Sequence, residues 1–297
     1  MSWIVSVTLF LFGVAFGSFL NVVSMRYEPS GRLFSRSVMG GRSQCASCKK
    51  TLVWYELIPL VSFVMQRGMC RSCSTRLSVQ YPIVETLTGL IFVFVPLTLK
   101  SLFFPFTLAW ATPAFIVASL LWVVIFMALE LVFLIDAKHY VIPNGLNLSI
   151  LILGVMWVAL GAANGLFSGV SRGSFLGNYG MLIPAPASVW WTHGLGLVVG
   201  AGFFFLLVLL TLGKAMGMGD VKLMAGLGIL FGWPDILPVM LLSFVIGALF
   251  SLWLMVRSRK KMSDMVPFGP FIVAAFVIVF FFGAGLMGAY FGILTLR

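Results

Sequence analysis

The chain has 297 residues, 61% of them hydrophobic and only 9% charged, with a mean hydropathy of +1.11. A soluble domain carries roughly a quarter charged residues, so composition excludes a water-soluble globular enzyme and leaves a polytopic membrane protein. The net charge of +11 does not call for nucleic acid, because the positive residues sort by loop along the chain.

Apolar stretches near 20 residues cross about 30 Å of hydrocarbon as helices, which satisfy their own backbone hydrogen bonds there. Eight spans are read, at about 3–25, 81–99, 112–136, 144–163, 190–212, 221–234, 236–256 and 267–292, the sixth of them short. The alternating pattern of a barrel is absent, and the expected fold is all-α and polytopic. Every Lys and Arg except Lys100, Arg172 and Arg297 falls in loops on one side. Cytosolic loops carry that excess, which predicts both termini outside. Anionic headgroups account for the basic balance, so the expected partner is the lipid bilayer and no nucleic acid. The sequence divides into a first transmembrane helix (1–25), a cytosolic loop (26–80) and the remaining transmembrane region (81–297).

The first span lacks a basic n-region, and its first positive residue, Arg26, follows the apolar run, so it reads as a retained helix. Gly13, Gly17 and Ser18 recur at a spacing near four, which lets another helix approach; ordinary glycine content explains them equally well. Asn21, near the membrane end, is expected to hydrogen-bond to a neighbour.

The loop 26–80 contains all four cysteines, as Cys45-x2-Cys48 and Cys70-x2-Cys73. Each pair puts two sulfurs on one tight turn, and two such turns offer the tetrahedral four-thiolate shell of structural Zn²⁺. Lys49, Lys50, Arg67 and Arg71 nearby favour thiolates. Two disulfides are the competing reading, which a reducing cytosol disfavours. Trp54, Tyr55, Ile58, Pro59 and Leu60 lie between the pairs and read as headgroup-layer aromatics and their neighbours rather than as a ligand site.

Pro82 is tolerated early in the second span. Glu85, less than two turns in, either reaches back to water or a loop Arg or makes a polar contact beside a cavity. Asp136 closes the long apolar run from Leu120 to Ile135. Glu130 lies about 120° away from it around the helix and is a poor companion. His139 is placed to hydrogen-bond to Asp136 but reads more simply as interfacial. Residues 164–189, rich in Gly and Ser, form the longest outer loop and read as a flexible or surface-lying connector. His193, after Trp190 and Trp191, reads as an anchor-zone residue.

Gly217-Met218-Gly219-Asp220 is a glycine-rich break that sets a carboxylate between two apolar segments. An Asp at the centre of a membrane helix costs roughly 2.5–3.5 kcal/mol, so such acids face a cavity or a partner. Gly217 and Gly219 either let a substrate backbone approach Asp220 or merely break the helix with Asp220 as N-cap of the next one; the stretch alone does not separate the two. No strand precedes the glycines, so the Gly-x-Gly does not support a nucleotide fold. Pro267-Phe268-Gly269-Pro270-Phe271 opens the last span with irregular backbone that needs a cavity or protein around it. The topology puts Asp136, Asp220 and this segment at one membrane level. If the two acids meet they share one proton: the ionised carboxylate takes a proton from water and the other donates to the oxyanion, as in an aspartic protease.

With these residues in view, the chain resembles the type IV prepilin peptidases, leader peptidase/N-methyltransferases of the GxGD membrane aspartic protease class. The resemblance is carried by Gly17-Ser18-Phe19-Leu20-Asn21, the paired C-x2-C, Ile58 to Ser62, Arg67-Gly68, Tyr81 to Glu85, Asp136, Gly217 to Leu223 and Pro267 to Phe271. It implies Asp136 and Asp220 as catalytic residues of the region 81–297, with Gly217, Gly219 and Lys222 supporting. It also implies prepilin or pseudopilin precursors as substrates, cut after a glycine at the cytosolic face of the bacterial inner membrane. Methylation of the new N-terminus by S-adenosylmethionine follows from the resemblance alone, with the cysteine loop as the associated region. A transporter would place its acids near the midplane, often in an internal repeat that is not seen here. A scaffold leaves the acids unmotivated, and a presenilin-like protease lacks the cysteine loop.

Overall fold

The structure is a computed structural model and describes residues 3–29, 31–45, 47–104, 112–167, 173–214, 216–258 and 266–295, apart from the side chains of 181 and 293–295. Arg172, Arg259, Lys260, Lys261 and Arg297, which entered the charge argument, lie outside the described residues, as do residues 168–172 of the loop 164–189. The described chain is helical, with two isolated β-bridges, and seven of its helices are long and apolar enough to cross a membrane. The protein is multi-pass. It divides into two compact units, residues 1–97 and 98–297.

In the first unit, α1 (Trp3–Arg26) packs on the start of α4 (Gln80–Phe103). Small residues make this approach possible. A Cβ at Gly13 would stand 2.7 Å from the Thr88 carbonyl oxygen and 2.8 Å from Gly89 Cα, and one at Gly17 would stand 2.8 Å from Glu85 Cα. Asn21 is fully buried; its Nδ2 donates to the Tyr81 carbonyl at 3.3 Å and its Oδ1 accepts from Gln80 Nε2 at 3.3 Å. The glycine spacing and Asn21 thus form one close-packed seam. Between these spans lie α2 (Arg36–Met39), a 3-10 turn (Trp54–Glu56) and α3 (Val61–Met65).

The second unit contains α5 (Pro113–His139), α6 (Asn144–Ala163), α7 (Val189–Leu210), α8 (Met218–Phe231), α9 (Ile236–Ser258) and α10 (Gly269–Thr295). Most of α8 is buried, because α6 and α7 close on it through glycines. A Cβ at Gly226 would lie 2.9 Å from Ile150 Cγ2, one at Gly200 would lie 3.0 Å from the Met224 carbonyl, and Gly196 and Gly228 stand backbone to backbone. The short span expected at 221–234 is this helix of 14 residues. At 1.5 Å per residue it measures about 21 Å, less than the roughly 30 Å of a hydrocarbon core.

Beyond the end of α8 the bundle is filled by rings. Trp122, Phe126, Trp157, Phe231, Phe276 and Phe280 are almost wholly buried, with Trp122 and Phe280 centroids 4.8 Å apart. Phe175 joins them, 4.6 Å from Phe231 and 2% exposed. It comes from the loop 164–189, so the described part of that loop is a docked strap rather than a surface connector. The reason is the buried Asp235 between α8 and α9, whose oxygens accept from Ser174 Oγ at 2.7 Å and the Phe175 amide at 2.6 Å. Trp233 Nε1 adds a bond to the Pro184 carbonyl at 2.9 Å. A cavity of about 60 Å³ lies beneath the strap, lined in part by Ser174, Thr192, His193, Trp233 and Asp235. His193 is not an anchor-zone residue. It is buried, with Nδ1 2.8 Å from the Ile229 carbonyl and its ring against Phe167, because a tight α7–α8 seam leaves it no route to the surface.

Candidate active site and metal centre

Asp136 stands in the last turn of α5. The helix ends when Tyr140 turns left-handed (φ +57°) and its amide caps the Asp136 carbonyl, after which Val141 to Pro143 lead into α6. The turn throws Ile142 back under the bundle. On the other strand of the site, Gly217 is the N-cap of α8 in extended backbone and Asp220 is the third residue of its first turn. Asp220 is therefore not the N-cap that one sequence reading allowed. Its Oδ2 instead accepts from the Gly217 amide, at a long 3.4 Å. An acid in a first helical turn is favoured by the helix dipole.

Both carboxylates are buried, and the chain brings them to one place. Asp136 Oδ2 accepts from the amide of Gly269, the first residue of α10, at 3.0 Å. A Cβ on Gly269 would lie 3.3 Å from Ile142 Cδ1, and one on Gly219 would lie 3.4 Å from Ile142 Cβ. One isoleucine is thus packed against the Asp136-binding glycine and the residue before Asp220. Asp136 is the ionisable group whose charge acts on Asp220. The Pro267–Phe271 segment, read as irregular backbone lining a cavity, supplies the amide that holds Asp136. On the Gly217 side, an added Cβ would meet nothing nearer than the Gly219 amide at 3.9 Å, so the approach there is open.

Lys222 does not reach the acids; its Nζ donates to Asn144 Oδ1 at 2.8 Å. One turn along α6, Asn147 Nδ2 donates to the Gly219 carbonyl at 3.2 Å. These two asparagines tie α6 to the glycine break. Sequence reading passed over them; their spacing of three residues, beside a carboxylate in an apolar chain, was the available signal. His139 is half-buried at the end of α5 and has its own partner. Glu85 reaches neither water nor an arginine. Its Oε2 accepts from the Leu60 amide at 2.7 Å, and Ser18 bonds to it as well.

The cysteines form two copies of one knuckle. In the first, the Cys45 amide bonds the Lys50 carbonyl and Lys49 turns left-handed (φ +58°); in the second, the Cys70 amide bonds the Thr75 carbonyl and Ser74 turns left-handed (φ +55°). Lys50 Nζ donates to Ser72 Oγ at 2.8 Å, which links the knuckles. All four sulfurs lie within 4.8 Å of one another, as free thiols, and Cys45 and Cys73 are 3.8 Å apart. Metal–sulfur bonds of about 2.3 Å in a tetrahedron require a sulfur–sulfur edge of about 3.8 Å, so these residues fit a metal ion. The Cys48 and Ser47 amides pull the Cys45 thiol down, and the Thr75 hydroxyl and amide lower that of Cys73 to about 6. The Lys50 amide pulls the Cys48 thiol down, but burial and its hydrogen bonds to the other three thiols push it up to about 11, so a metal entering the set must displace protons from it.

A multi-pass helical bundle that converges two buried carboxylates on a glycine break, and carries a four-thiol knuckle pair, defines a membrane enzyme with a separate metal-ready module. Residues 11–99 match the family model for the bacterial peptidase A24 N-terminal domain, and residues 122–252 match that of the type IV leader peptidase family. The prepilin leader peptidase/N-methyltransferase of Aeromonas salmonicida is 30% identical over 95% of this chain and 92% of its own length. Those of Pseudomonas aeruginosa, 31% identical over 94% and 91%, and of Bacillus subtilis, 28% identical over 95% and 96%, are similar in the same way. The chain belongs to the type IV leader peptidase family. No solved structure matches it.

Proposed function

We propose that Asp136 and Asp220 are the catalytic pair of a prepilin peptidase, and that this chain removes the leader of type IV prepilins or type II secretion pseudopilins after a glycine. The observation that carries the reading is that two buried carboxylates, Asp136 on α5 and Asp220 on α8, lie near enough for the charge of one to act on the other, with Ile142 packed beside both the glycine that binds Asp136 and the residue before Asp220. Two acids this close cannot both ionise cheaply, so the pair holds one proton. The ionised member takes a proton from water as its oxygen attacks the peptide carbonyl carbon. The protonated member gives its proton to the carbonyl oxygen, so the intermediate is a neutral gem-diol and the two acids have exchanged roles. On collapse the now-ionised member takes a proton from a gem-diol hydroxyl, the carbonyl re-forms, the C–N bond breaks, and the now-protonated member gives its proton to the leaving amine. Gly217 supports the step by leaving the backbone bare where an extended substrate approaches, and Gly219 supports it by letting Ile142 pack beside Asp220. Lys222 supports it through Asn144, on the face of α8 that Asn147 also ties.

The substrate is met at the cytosolic face of the bacterial inner membrane, with both termini of the chain outside. Cys45, Cys48, Cys70 and Cys73 hold a structural Zn²⁺ that organises residues 26–80. Bound there, zinc supplies folding energy to a module with few residues for a core. The second activity, methylation of the new N-terminus with S-adenosylmethionine, is proposed on family membership; among the described residues the fold singles out none for the methyl donor.

The test is cleavage of a prepilin by the protein in membranes, with the product N-terminus read by mass spectrometry. Asp136→Asn and Asp220→Asn are each expected to abolish cleavage while the protein still inserts, and the parent is expected to release a methylated product. Cleavage that survives both substitutions would remove the aspartic mechanism.

A further inference from the structure

The helix α3 presents its apolar stripe the wrong way round for a water-soluble module. Val61, Val64 and Met65, at i, i+3 and i+4, share one face and are 49%, 73% and 68% exposed. Phe63 turns inward, where its Cζ would lie 3.2 Å from a Cβ on Gly68. Trp54, 77% exposed and edge-on to Tyr55 at 5.7 Å, continues the display. Exposed apolar surface of this kind marks an interaction site.

Its level along the membrane is set by a hydrogen bond. Leu60, the residue before α3, donates its amide to Glu85 Oε2 at 2.7 Å. Glu85 is the sixth residue of α4, a membrane span, and at 1.5 Å per residue lies about 7.5 Å along it. The first turn of α3 is therefore held beside the boundary of the hydrocarbon, where the neighbouring medium is lipid. The charge agrees. Residues 27–79 carry eight Lys and Arg against only Glu28 and Glu56. Arg67 and Arg71 follow α3 directly, and the Arg71 guanidinium stacks over Tyr55 at 5.1 Å, so cations border the stripe. Apolar residues at the acyl boundary with cations at the phosphates are the pattern of an interfacial helix on an anionic leaflet.

We propose that α3 is a lipid anchor: Val61, Val64 and Met65, with Trp54 beside them, lie in the headgroup layer of an anionic bilayer and seat the cysteine module on it. The anchor does not depend on which residues cut the substrate. It makes the module a surface-bound body tied to the membrane along its flank as well as through α1 and α4.

The experiment places a photo-crosslinking benzophenone amino acid at position 64, at position 54 and, as a control, at the exposed polar position 37, outside both cysteine knuckles, in full-length protein. Each variant is reconstituted in vesicles of phosphatidylethanolamine and phosphatidylglycerol, irradiated and read by mass spectrometry. Lipid adducts are expected at 64 and 54 and not at 37, with yields falling about fivefold when phosphatidylcholine replaces both lipids. Adducts at 64 and 54 to a second copy of the chain, or no adducts there, would overturn the anchor. Equal yields in the two kinds of vesicle would overturn it as well.

Discussion

Gly269→Ala adds one methyl group at the place where the site is tightest. The new Cβ stands 2.6 Å from Asp136 Oδ2, 3.1 Å from its Cγ and 3.3 Å from Ile142 Cδ1. Ordinary non-bonded contact begins near 3.4 Å, so the carboxylate must retreat by roughly 0.8 Å. It is the far end of a side chain and retreats by rotation. Gly269 opens a helix and is absent from the left-handed positions, so alanine strains no backbone. Stability should hardly change, whereas misplacing a reacting group by about 1 Å costs roughly a hundredfold in rate. The expected loss in kcat is about 30- to 100-fold, or roughly 2–2.7 kcal/mol of barrier. Gly285→Ala is the control, since a Cβ there meets nothing within 4 Å. The assay is prepilin cleavage in reconstituted vesicles beside thermal unfolding of the same preparations. A Gly269→Ala protein that melts like the parent and cleaves within about threefold of it would refute the assignment of Asp136 as a positioned catalytic group.

Three further outcomes are expected. Asn147→Leu removes the bond to the Gly219 carbonyl at 3.2 Å, worth about 1 kcal/mol, and should lower kcat several-fold at unchanged KM; a raised KM alone would deny it a positioning role. Cys45→Ser should take bound zinc, counted by elemental mass spectrometry, from one ion to none and make residues 26–80 sensitive to protease; a parent protein without metal would refute the centre. Asp235→Ala leaves the Ser174 hydroxyl and the Phe175 amide without their acceptor, at a cost of about 1–3 kcal/mol for each buried group, and should lower the melting temperature and expose the strap to protease; melting like the parent would deny Asp235 its role in docking the strap.

What could be read in advance was what a residue carries within its own neighbourhood. A span is a local run of apolar residues, and each C-x2-C is a local turn, so both were visible. Asp136 and Asp220 stood out because a carboxylate in an apolar chain is costly wherever it ends up. The partners of buried groups were not visible, because they lie far along the chain. Nothing near Glu85 announces Leu60, and nothing near Asp235 announces Ser174. His193 was misread for the same reason. Its neighbours Trp190 and Trp191 are exposed as an anchor zone requires, but the helix turns His193 onto the end of α8, against the Ile229 carbonyl and Gly232. Ile142 carries no chemical signal at all, and only packing shows that it touches the backbone beside both acids.

The brevity of α8 has a consequence for the opposite face of the bundle. A helix that begins at one boundary and runs about 21 Å stops some 9 Å short of the other, which leaves a dimple in the middle of the protein. The strap from Ser174 to Leu176 is the stopper of that dimple, and Phe175 is its plug. Trimming the loop 164–189 as dispensable sequence would uncork the bundle from behind, admitting water toward Asp136 and Asp220 at the other end.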